Sequence, residues 1–269
     1  MMPPDDSWFF VEQGQGPGLL LLHGLGASSF SWRDNVAPLA RYFRVLAPDL
    51  PGHGRSPAPG DGDYRLEALA RGIIDFLDRR GVQQTAVAGN SLGGSLALLL
   101  ARDWPARISA LILIAPAAAQ TRLPWIFYPL GLPVLGLITA ILLGPWIIPW
   151  ALRLAYHRPE LITPEVVAGY AAPFRDLSRR LALRRLCRSL NPWPLDEVEA
   201  LLAAIHQPLA LIWGAQDRIL PATQLPWLQA RLPQAEVRVL PEVGHAPQEE
   251  APEAVNKIII DFLARSFKK

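Results

Sequence analysis

Cysteine and charge are both scarce in this sequence of 269 residues. The single cysteine, Cys187, excludes an internal disulfide, a cysteine-cluster zinc site and an iron–sulfur cluster. Charged residues make up 19%, against about 25% in an average protein, and the formal net charge is only +2. So small a charge argues against a nucleic-acid-binding protein. The apolar fraction of 51% is enough to bury a large core, which excludes disorder for most of the chain.

A secretory leader and an unbroken apolar span are also lacking. The N-terminus has no basic segment followed by an apolar one, so the sequence predicts a cytoplasmic protein. Residues 123–152 contain no Asp, Glu, Lys, Arg or His, and about 20 apolar residues suffice to cross a bilayer. Prolines interrupt this stretch, however, and its longest proline-free run is residues 134–144. A buried or interfacial helix is therefore favoured over a membrane span.

Short apolar runs alternate with helical patterns near both ends of the chain. Each early run ends in a loop rich in Gly, Pro or His, which is typical of buried parallel strands. We predict strands over residues 18–22, 43–47, 85–88, 108–115, 209–213 and 236–240, and helices over residues 31–41, 64–80, 92–102, 225–232 and 254–267. This alternation predicts an α/β fold with a mostly parallel sheet. Between residue 116 and about residue 205 the strand pattern disappears, so this insert is predicted to be helical.

The segment Gly89-Asn90-Ser91-Leu92-Gly93 lies between a predicted strand and a predicted helix. A nucleophilic serine on such a sharp turn is held in a strained conformation, and its hydroxyl projects above the sheet. The flanking glycines are needed because the strand and helix backbones pass too closely there for a Cβ atom. Ser91 is therefore the candidate nucleophile, and the alternative is a structural serine in a glycine-rich turn.

A serine hydroxyl needs a general base, and the base needs an acid that orients it. His245 follows the predicted strand 236–240, and Asp217 follows the predicted strand 209–213. Catalytic groups in open α/β sheets collect at this edge. The candidate catalytic triad, in the chain order Ser–Asp–His, is therefore Ser91, Asp217 and His245. Asp217 is alternatively a helix N-cap or turn former.

The loop after the first buried strand reads His23-Gly24-Leu25-Gly26. Its small residues allow the backbone to approach the nucleophile and to offer an N–H group to a developing oxyanion. The N–H of Leu92, at the start of a predicted helix, is the candidate second donor. His23 itself is interpreted as a hydrogen-bonded scaffold residue.

With these residues assembled, the chain resembles the α/β-hydrolase superfamily, as a serine carboxylesterase or lipase-like member with a helical cap. The match covers residues 1–116 and 206–269 and depends on the motifs His-Gly-Leu-Gly, Asp-Leu-Pro-Gly-His-Gly-Arg-Ser, Gly-Asn-Ser-Leu-Gly-Gly, Trp-Gly-Ala-Gln-Asp and Gly-His-Ala-Pro. The resemblance implies a mostly parallel, eight-stranded central sheet flanked by helices. It also implies that residues 117–205 form an all-helical cap, inserted after the sixth strand.

By matching motif, the resemblance assigns a role to each candidate residue. It implies that the nucleophile is Ser91, the acid Asp217 and the base His245. The oxyanion donors that it implies are the backbone N–H groups of Leu25 and Leu92. It implies no organic cofactor and no metal.

The motifs also separate subfamilies of this superfamily. Epoxide hydrolases and haloalkane dehalogenases of this fold carry aspartate where this chain has Ser91, which argues against both. The carbon–carbon bond hydrolases of aromatic-ring degradation look similar, but they commonly place tryptophan after the catalytic histidine, where this chain has Ala246. The expected activity is hydrolysis of carboxylic esters. The alternatives are carbon–carbon hydrolysis of meta-cleavage products, perhydrolase, lactonase or thioesterase chemistry, and, less favoured, a non-catalytic small-molecule receptor.

The insert also raises the question of membrane contact. Its tryptophans at positions 125, 146 and 150 suit apolar pockets and membrane interfaces alike. Residues 175–188 contain six arginines and one aspartate, which predicts a helix with a basic face beside an apolar one. One hypothesis is that these two segments make peripheral contact with anionic lipid. The alternative is that the apolar stretch forms the core of the insert and that the arginines face solvent. In both cases apolar side chains of the insert cover Ser91, so we expect an ester substrate with a medium or long acyl chain.

Overall fold

Seven β-strands form one central sheet in the part of the chain that the structure describes. The structure, a computed structural model, describes residues 8–119, 125–190 and 193–267. The strands are β1 (Phe10–Gln13), β2 (Gly18–Leu22), β3 (Arg44–Pro48), β4 (Thr85–Asn90), β5 (Ile108–Ile114), β6 (Leu209–Gly214) and β7 (Glu236–Leu240). Their order across the sheet is β1-β3-β2-β4-β5-β6-β7, in which β1 runs antiparallel to β3 and the other neighbours are parallel. The predicted α/β fold with a mostly parallel sheet is confirmed.

The predicted count of eight strands is wrong for the described residues, which form seven. That count followed from the family resemblance and not from an eighth apolar run. Strand β1 was not among the strands predicted from sequence, because this short edge strand is half exposed and has no run of apolar residues. Five strands, rather than six, precede the helical insert in the described chain.

Twelve α-helices accompany the sheet among the described residues. They are α1 (Arg33–Leu39), α2 (Leu66–Arg79), α3 (Leu92–Asp103), α4 (Tyr128–Gly131), α5 (Pro133–Leu142), α6 (Ile148–Ala155), α7 (Pro164–Phe174), α8 (Leu177–Ser189), α9 (Leu195–Ala203), α10 (Leu225–Arg231), α11 (Pro247–Glu250) and α12 (Pro252–Ser266). Helices α4 to α9 lie between β5 and β6, and every described element in this insert is helical.

Alternating side chains of the strands build two cores, one on each face of the sheet. In β2, Leu20 and Leu22 belong to a core that includes buried residues of α2, α3 and α10. Leu19 and Leu21 point to the other face, where α1 and α12 complete a second core. Because both faces are covered, the central strands are buried along their whole length, as their continuous apolar runs predict.

Within the insert, α4, α5 and α8 pack around Leu130, Ala140, Leu183 and Cys187. Burial raises the pKa of the Cys187 thiol to about 12, so it stays protonated near neutral pH and is not a candidate nucleophile.

Among the described residues, no single helix is long and apolar enough to cross a membrane. The segments Trp125–Gly131 and Pro133–Leu142 reach that length and hydropathy only together, across a bend of 109°. Residues 1–7 and 123–124, which the leader and apolar-stretch predictions include, lie outside the described residues.

The turn from β4 to α3 is packed so closely that it excludes side chains at two positions. A Cβ atom on Gly89 would lie 2.2 Å from the carbonyl oxygen of Gly93, and one on Gly93 would lie 2.3 Å from the carbonyl oxygen of Leu22. In both cases the obstacle is backbone, which cannot rotate away. Helix α3 therefore rests directly on β2 and β4, and this contact fixes the height of the turn above the sheet.

We expect Gly93→Ala to lower the free energy of unfolding by about 3 kcal/mol, the upper end of the usual overpacking range. The matched control is Gly62→Ala. Gly62 has a φ of +69° but nothing within 4 Å of the added Cβ, so only backbone strain of about 1–2 kcal/mol applies. Urea unfolding of both variants measures the difference. An equal loss in the two would contradict the close packing at Gly93.

Candidate active site

Ser91 occupies the turn between β4 and α3, at the carboxyl edge of the sheet. Its φ of +54° is a conformation that residues other than glycine rarely adopt. Backbone hydrogen bonds hold it there: the Ser91 N–H donates to Ile114 O at 2.9 Å, and Ser91 O accepts from the N–H of Gly94 at 3.0 Å. Such strain persists only where the surroundings impose it, and it clusters at functional sites.

Asp217 and His245 are joined directly. His245 Nδ1 lies 2.7 Å from Asp217 Oδ2, and both side chains are buried. The other carboxylate oxygen, Oδ1, accepts the backbone N–H groups of Ile219 and Leu220, each at 2.8 Å. The two oxygens therefore divide the two roles considered from sequence: one forms the turn and the other orients the imidazole. With Nδ1–H donating to Asp217, Nε2 of His245 is left as an acceptor.

The structure brings the three candidate triad residues to one edge of the sheet, each after a different strand. Ser91 and His245 line the same cavity, and Asp217 lies behind His245. In the described chain, no hydrogen bond joins Ser91 Oγ to His245 Nε2. Catalytic hydrogen bonds are often long or poorly aligned in a site without substrate, and they tighten when substrate binds.

The two candidate oxyanion donors are placed around the same cavity. Leu25 and Leu92 both line it together with Ser91. The loop of Gly24 passes so close that a Cβ atom there would lie 3.3 Å from Ser91 Cβ. Leu92 begins α3, where the N–H groups have no partner within the helix and the helix dipole favours negative charge.

His23 and His53 pack against each other beneath this loop and are fully or almost fully buried. His23 Nε2 accepts the N–H of Leu50 at 2.9 Å, so its Nδ1–H donates to Gly24 O at 2.8 Å. Burial lowers the pKa of His23, and burial together with the nearby His23 lowers the pKa of His53 to about 3. Both imidazoles are therefore neutral near pH 7, and His23 supports the loop that carries Leu25.

Asn90 is a site residue that the sequence analysis did not identify. Its buried side-chain amide donates to Ile114 O at 3.2 Å and to His245 O at 3.1 Å. It thereby connects the loop of the candidate base to β5 and to the serine turn. An asparagine inside a strand has no local pattern that reveals such a long-range bond.

Glu249 and Glu250, on α11 just after His245, were also missed, because two acidic residues in the first turn of a helix are an ordinary capping pattern. Glu250 accepts the N–H groups of Gly244 and His157, each at 2.7 Å. Glu249 accepts from the hydroxyls of Tyr156 at 2.8 Å and Tyr170 at 2.6 Å, and it pairs with Arg33. Burial raises the pKa of both carboxyl groups. The two side chains thus tie the base loop to helices of the insert.

A cavity of about 320 Å³ lies beside Ser91. Its walls are mostly aliphatic and aromatic side chains from α3 and from the insert. The polar residues among its described lining are Asn90, Ser91, Ser95, Tyr156, Tyr170, His245 and Glu249, and this described lining includes no arginine or lysine. The same described ranges contain no group of three His, Cys, Asp or Glu side chains arranged to hold a metal ion.

Comparison with known proteins gives consistent matches along the chain. A sequence model described as "Alpha/beta hydrolase family" matches residues 19–258. The uncharacterized hydrolase YugF of Bacillus subtilis (strain 168) is 30% identical over 258 residues, which cover 94% of this chain and 93% of that protein. The 2-hydroxy-6-oxo-6-phenylhexa-2,4-dienoate hydrolase of Burkholderia cepacia is 29% identical over 259 residues, covering 94% and 90%. An alpha/beta hydrolase fold protein from Burkholderia ambifaria superimposes with a TM-score of 0.84 at 25% identity, covering 97% and 99%.

We expect Asn90→Ala to lower the free energy of unfolding by about 1–3 kcal/mol, because the buried carbonyl of His245 loses its donor and Ile114 O keeps only the N–H of Ser91. The control is Gln83→Ala, an exposed amide two residues before β4, where the change should stay within about 0.5 kcal/mol. Urea unfolding monitored by tryptophan fluorescence measures both. An unchanged stability of Asn90→Ala would show that the two hydrogen bonds contribute nothing.

Proposed function

The chain belongs to the alpha/beta hydrolase family, and we propose that within it this protein is a serine hydrolase that cleaves carboxylic esters through an acyl-enzyme. The observation that carries this proposal is the hydrogen bond between His245 Nδ1 and Asp217 Oδ2, with Ser91 on the same cavity. An oriented imidazole beside a serine on a strained turn is the arrangement that activates a hydroxyl nucleophile.

In the acylation step, Ser91 Oγ attacks the ester carbonyl while His245 Nε2 accepts the hydroxyl proton. The N–H groups of Leu25 and Leu92 donate to the oxyanion that forms. When the tetrahedral intermediate collapses, the bond to the alcohol oxygen breaks and His245 returns its proton to that oxygen. Asp217 stabilises the imidazolium in between. The products of this step are the free alcohol and an ester of Ser91.

In the deacylation step, water takes the place of the alcohol. His245 removes a proton from the water as it attacks the acyl carbonyl, and the same two backbone N–H groups bind the oxyanion. Collapse breaks the bond to Ser91 Oγ, which receives the proton back from His245. The acid leaves and the serine is regenerated. All proton transfers use one imidazole, and none requires a cofactor.

The apolar walls of the cavity support an ester with a medium or long acyl chain. Residues 117–205 would then act as a cap over a core formed by residues 1–116 and 206–269. Side chains of this insert and of α3 surround the cavity, and an apolar chain buried there gains roughly 0.8 kcal/mol for each methylene group. A neutral substrate also matches the absence of arginine and lysine from the described lining.

Carbon–carbon bond hydrolysis is the second candidate, because the relative from Burkholderia cepacia is named as a hydrolase of a dienoate. A dienoate carries a carboxylate, and a carboxylate in an apolar cavity requires a paired cation. The described lining offers Glu249 instead. Ala246, the residue after His245, also lines the cavity at the position where carbon–carbon hydrolases of this superfamily commonly have tryptophan. Ester hydrolysis is therefore favoured.

We expect Ser91→Ala to lower ester hydrolysis by about 10⁴–10⁶-fold and to abolish labelling by a fluorophosphonate probe. The fold should be unaffected, because alanine preserves the backbone hydrogen bonds of the turn. The control is Ser266→Ala on α12, remote from the cavity, which should be labelled like the parent. Hydrolysis by Ser91→Ala within tenfold of the parent would overturn the nucleophile assignment.

Asp217→Asn should lower kcat by about 10⁴-fold with little loss of stability. The amide oxygen can still accept the N–H groups of Ile219 and Leu220, but the amide nitrogen cannot accept from His245. The imidazole then favours the tautomer whose Nε2 carries the proton and cannot act as a base. Steady-state kinetics and thermal melting measure the two effects, with Asp261→Asn, at an exposed position of α12, as the control. Full activity in Asp217→Asn would mean that another acid orients His245.

The value of kcat/KM should rise at least tenfold from the acetyl to the hexanoyl ester of p-nitrophenol. Four added methylene groups, each worth about 0.8 kcal/mol when buried, set an upper limit of about 200-fold. A diketone substrate with a cleavable carbon–carbon bond belongs in the same assay. Preference for acetyl esters would contradict the acyl-binding cavity, and faster cleavage of the diketone would favour the second candidate.

A further inference from the structure

Helix α5 packs with its smallest residues inward and its largest apolar residues outward. Gly136 and Ala140 are its buried residues, and a Cβ atom on Gly136 would lie 2.4 Å from the carbonyl oxygen of Leu130. A surface helix of a globular protein normally has the reverse arrangement. The outward side chains have exposed fractions from 44% to 73%; they are Val134, Leu135, Leu137, Ile138, Ile141 and Leu142.

Three exposed tryptophans extend this surface. Trp146 donates its indole N–H to Leu142 O at the end of α5, and Trp125 packs edge to face against Trp150 with ring centroids 6.1 Å apart. We call the outward side chains of α5 together with Trp125, Trp146 and Trp150 the apolar face. A contiguous exposed group of this kind marks an interaction site on a protein surface.

Arginines of α8 border the apolar face. Arg180 donates to the carbonyl oxygens of Ile141 and Leu143 at one end of α5, and Arg184 donates to that of Pro133 at the other end. Helix α8 therefore lies along α5, and Arg188, one helical turn after Arg184, is exposed. The segment from residue 175 to residue 188 has a net charge of +5, while residues 125–152 contain no acidic residue.

We propose that the apolar face and the arginines of α8 together bind an anionic lipid bilayer. Acyl chains match the aliphatic side chains of α5, tryptophan rings suit the interfacial region, and lipid phosphates supply the negative charge that this surface lacks. A second copy of the chain fits less well. In a two-fold dimer the same surface of both copies would meet, so the net charge of +5 on each segment would face an equal positive charge.

The position of Trp150 connects this surface to the cavity. Trp150 is 47% exposed on the apolar face, and it also lines the cavity beside Ser91. The cavity is therefore next to the surface that would contact lipid, and a bilayer-bound molecule could take up an apolar ester from the membrane. The binding itself does not depend on hydrolysis, so Ser91→Ala should bind vesicles like the parent even if the proposed function is wrong.

Co-sedimentation of the full chain with vesicles tests the proposal. One set of vesicles contains phosphatidylglycerol and phosphatidylcholine, and the other contains phosphatidylcholine alone. At low salt we expect at least tenfold stronger partitioning onto the anionic vesicles, and we expect this preference to fall at high salt because the arginine contribution is screened.

Two variants separate the apolar and the basic contributions. Val134→Asp with Leu142→Asp changes two side chains that are 73% and 67% exposed, and it should lower partitioning at least tenfold. Arg184→Gln with Arg188→Gln should lower it about 25-fold at low salt, or about fivefold for each arginine. The matched controls Tyr42→Asp and Arg71→Gln, exposed residues outside the insert, should stay within twofold of the parent. Thermal melting checks that every variant is folded.

Three results would overturn the proposal. The first is failure of the parent to bind anionic vesicles at low salt. The second is binding that the apolar-face and arginine variants leave unchanged. The third is a stable dimer in sedimentation velocity that Val134→Asp with Leu142→Asp converts to monomer, since a second copy would then cover this surface.

Discussion

The close approach of three backbones, those of β2, β4 and α3, is the constraint on which the site depends. No side chain fits at Gly89 or Gly93, so α3 can begin directly above the sheet. Ser91, the residue at the turn, accepts a positive φ because its N–H is bonded to Ile114 and the strand before it is buried on both faces. The strain of one residue is thus held by the packing of the whole sheet, which fixes the position of the Ser91 backbone.

Buried hydrogen bonds fix the positions of the other site residues. Asp217 uses one oxygen for its own turn and the other for His245, while Asn90 holds the backbone of His245 from the opposite side. Glu249 and Glu250 attach the same loop to the insert. A buried carboxylate is tolerable only with such partners, and these two have several each. Changes in the insert can therefore affect His245 through a short series of contacts.

The fold was predictable because its central strands are continuous apolar runs. The observed β2 and β7 match their predicted bounds, and Ser91, Asp217 and His245 lie where strand ends implied a shared edge. The edge strand β1 was not predictable, since half of its residues face solvent and carry no pattern. Asn90, Glu249 and Glu250 act through partners distant in sequence, which no local spacing encodes. The sequence left open whether the apolar stretch that includes α5 is buried or interfacial, because apolar periodicity reveals a face but not whether protein or solvent covers it.

The central claim is a covalent intermediate on Ser91, and rapid mixing with p-nitrophenyl hexanoate tests it most directly. The leaving group is activated, so acylation should outpace deacylation and the intermediate should accumulate. We expect a burst of one p-nitrophenolate per enzyme molecule, and acid quenching followed by peptide mapping should find the hexanoyl group on Ser91 alone. Steady hydrolysis with no burst and no acylated Ser91, or an acyl group on a different residue, would contradict the account.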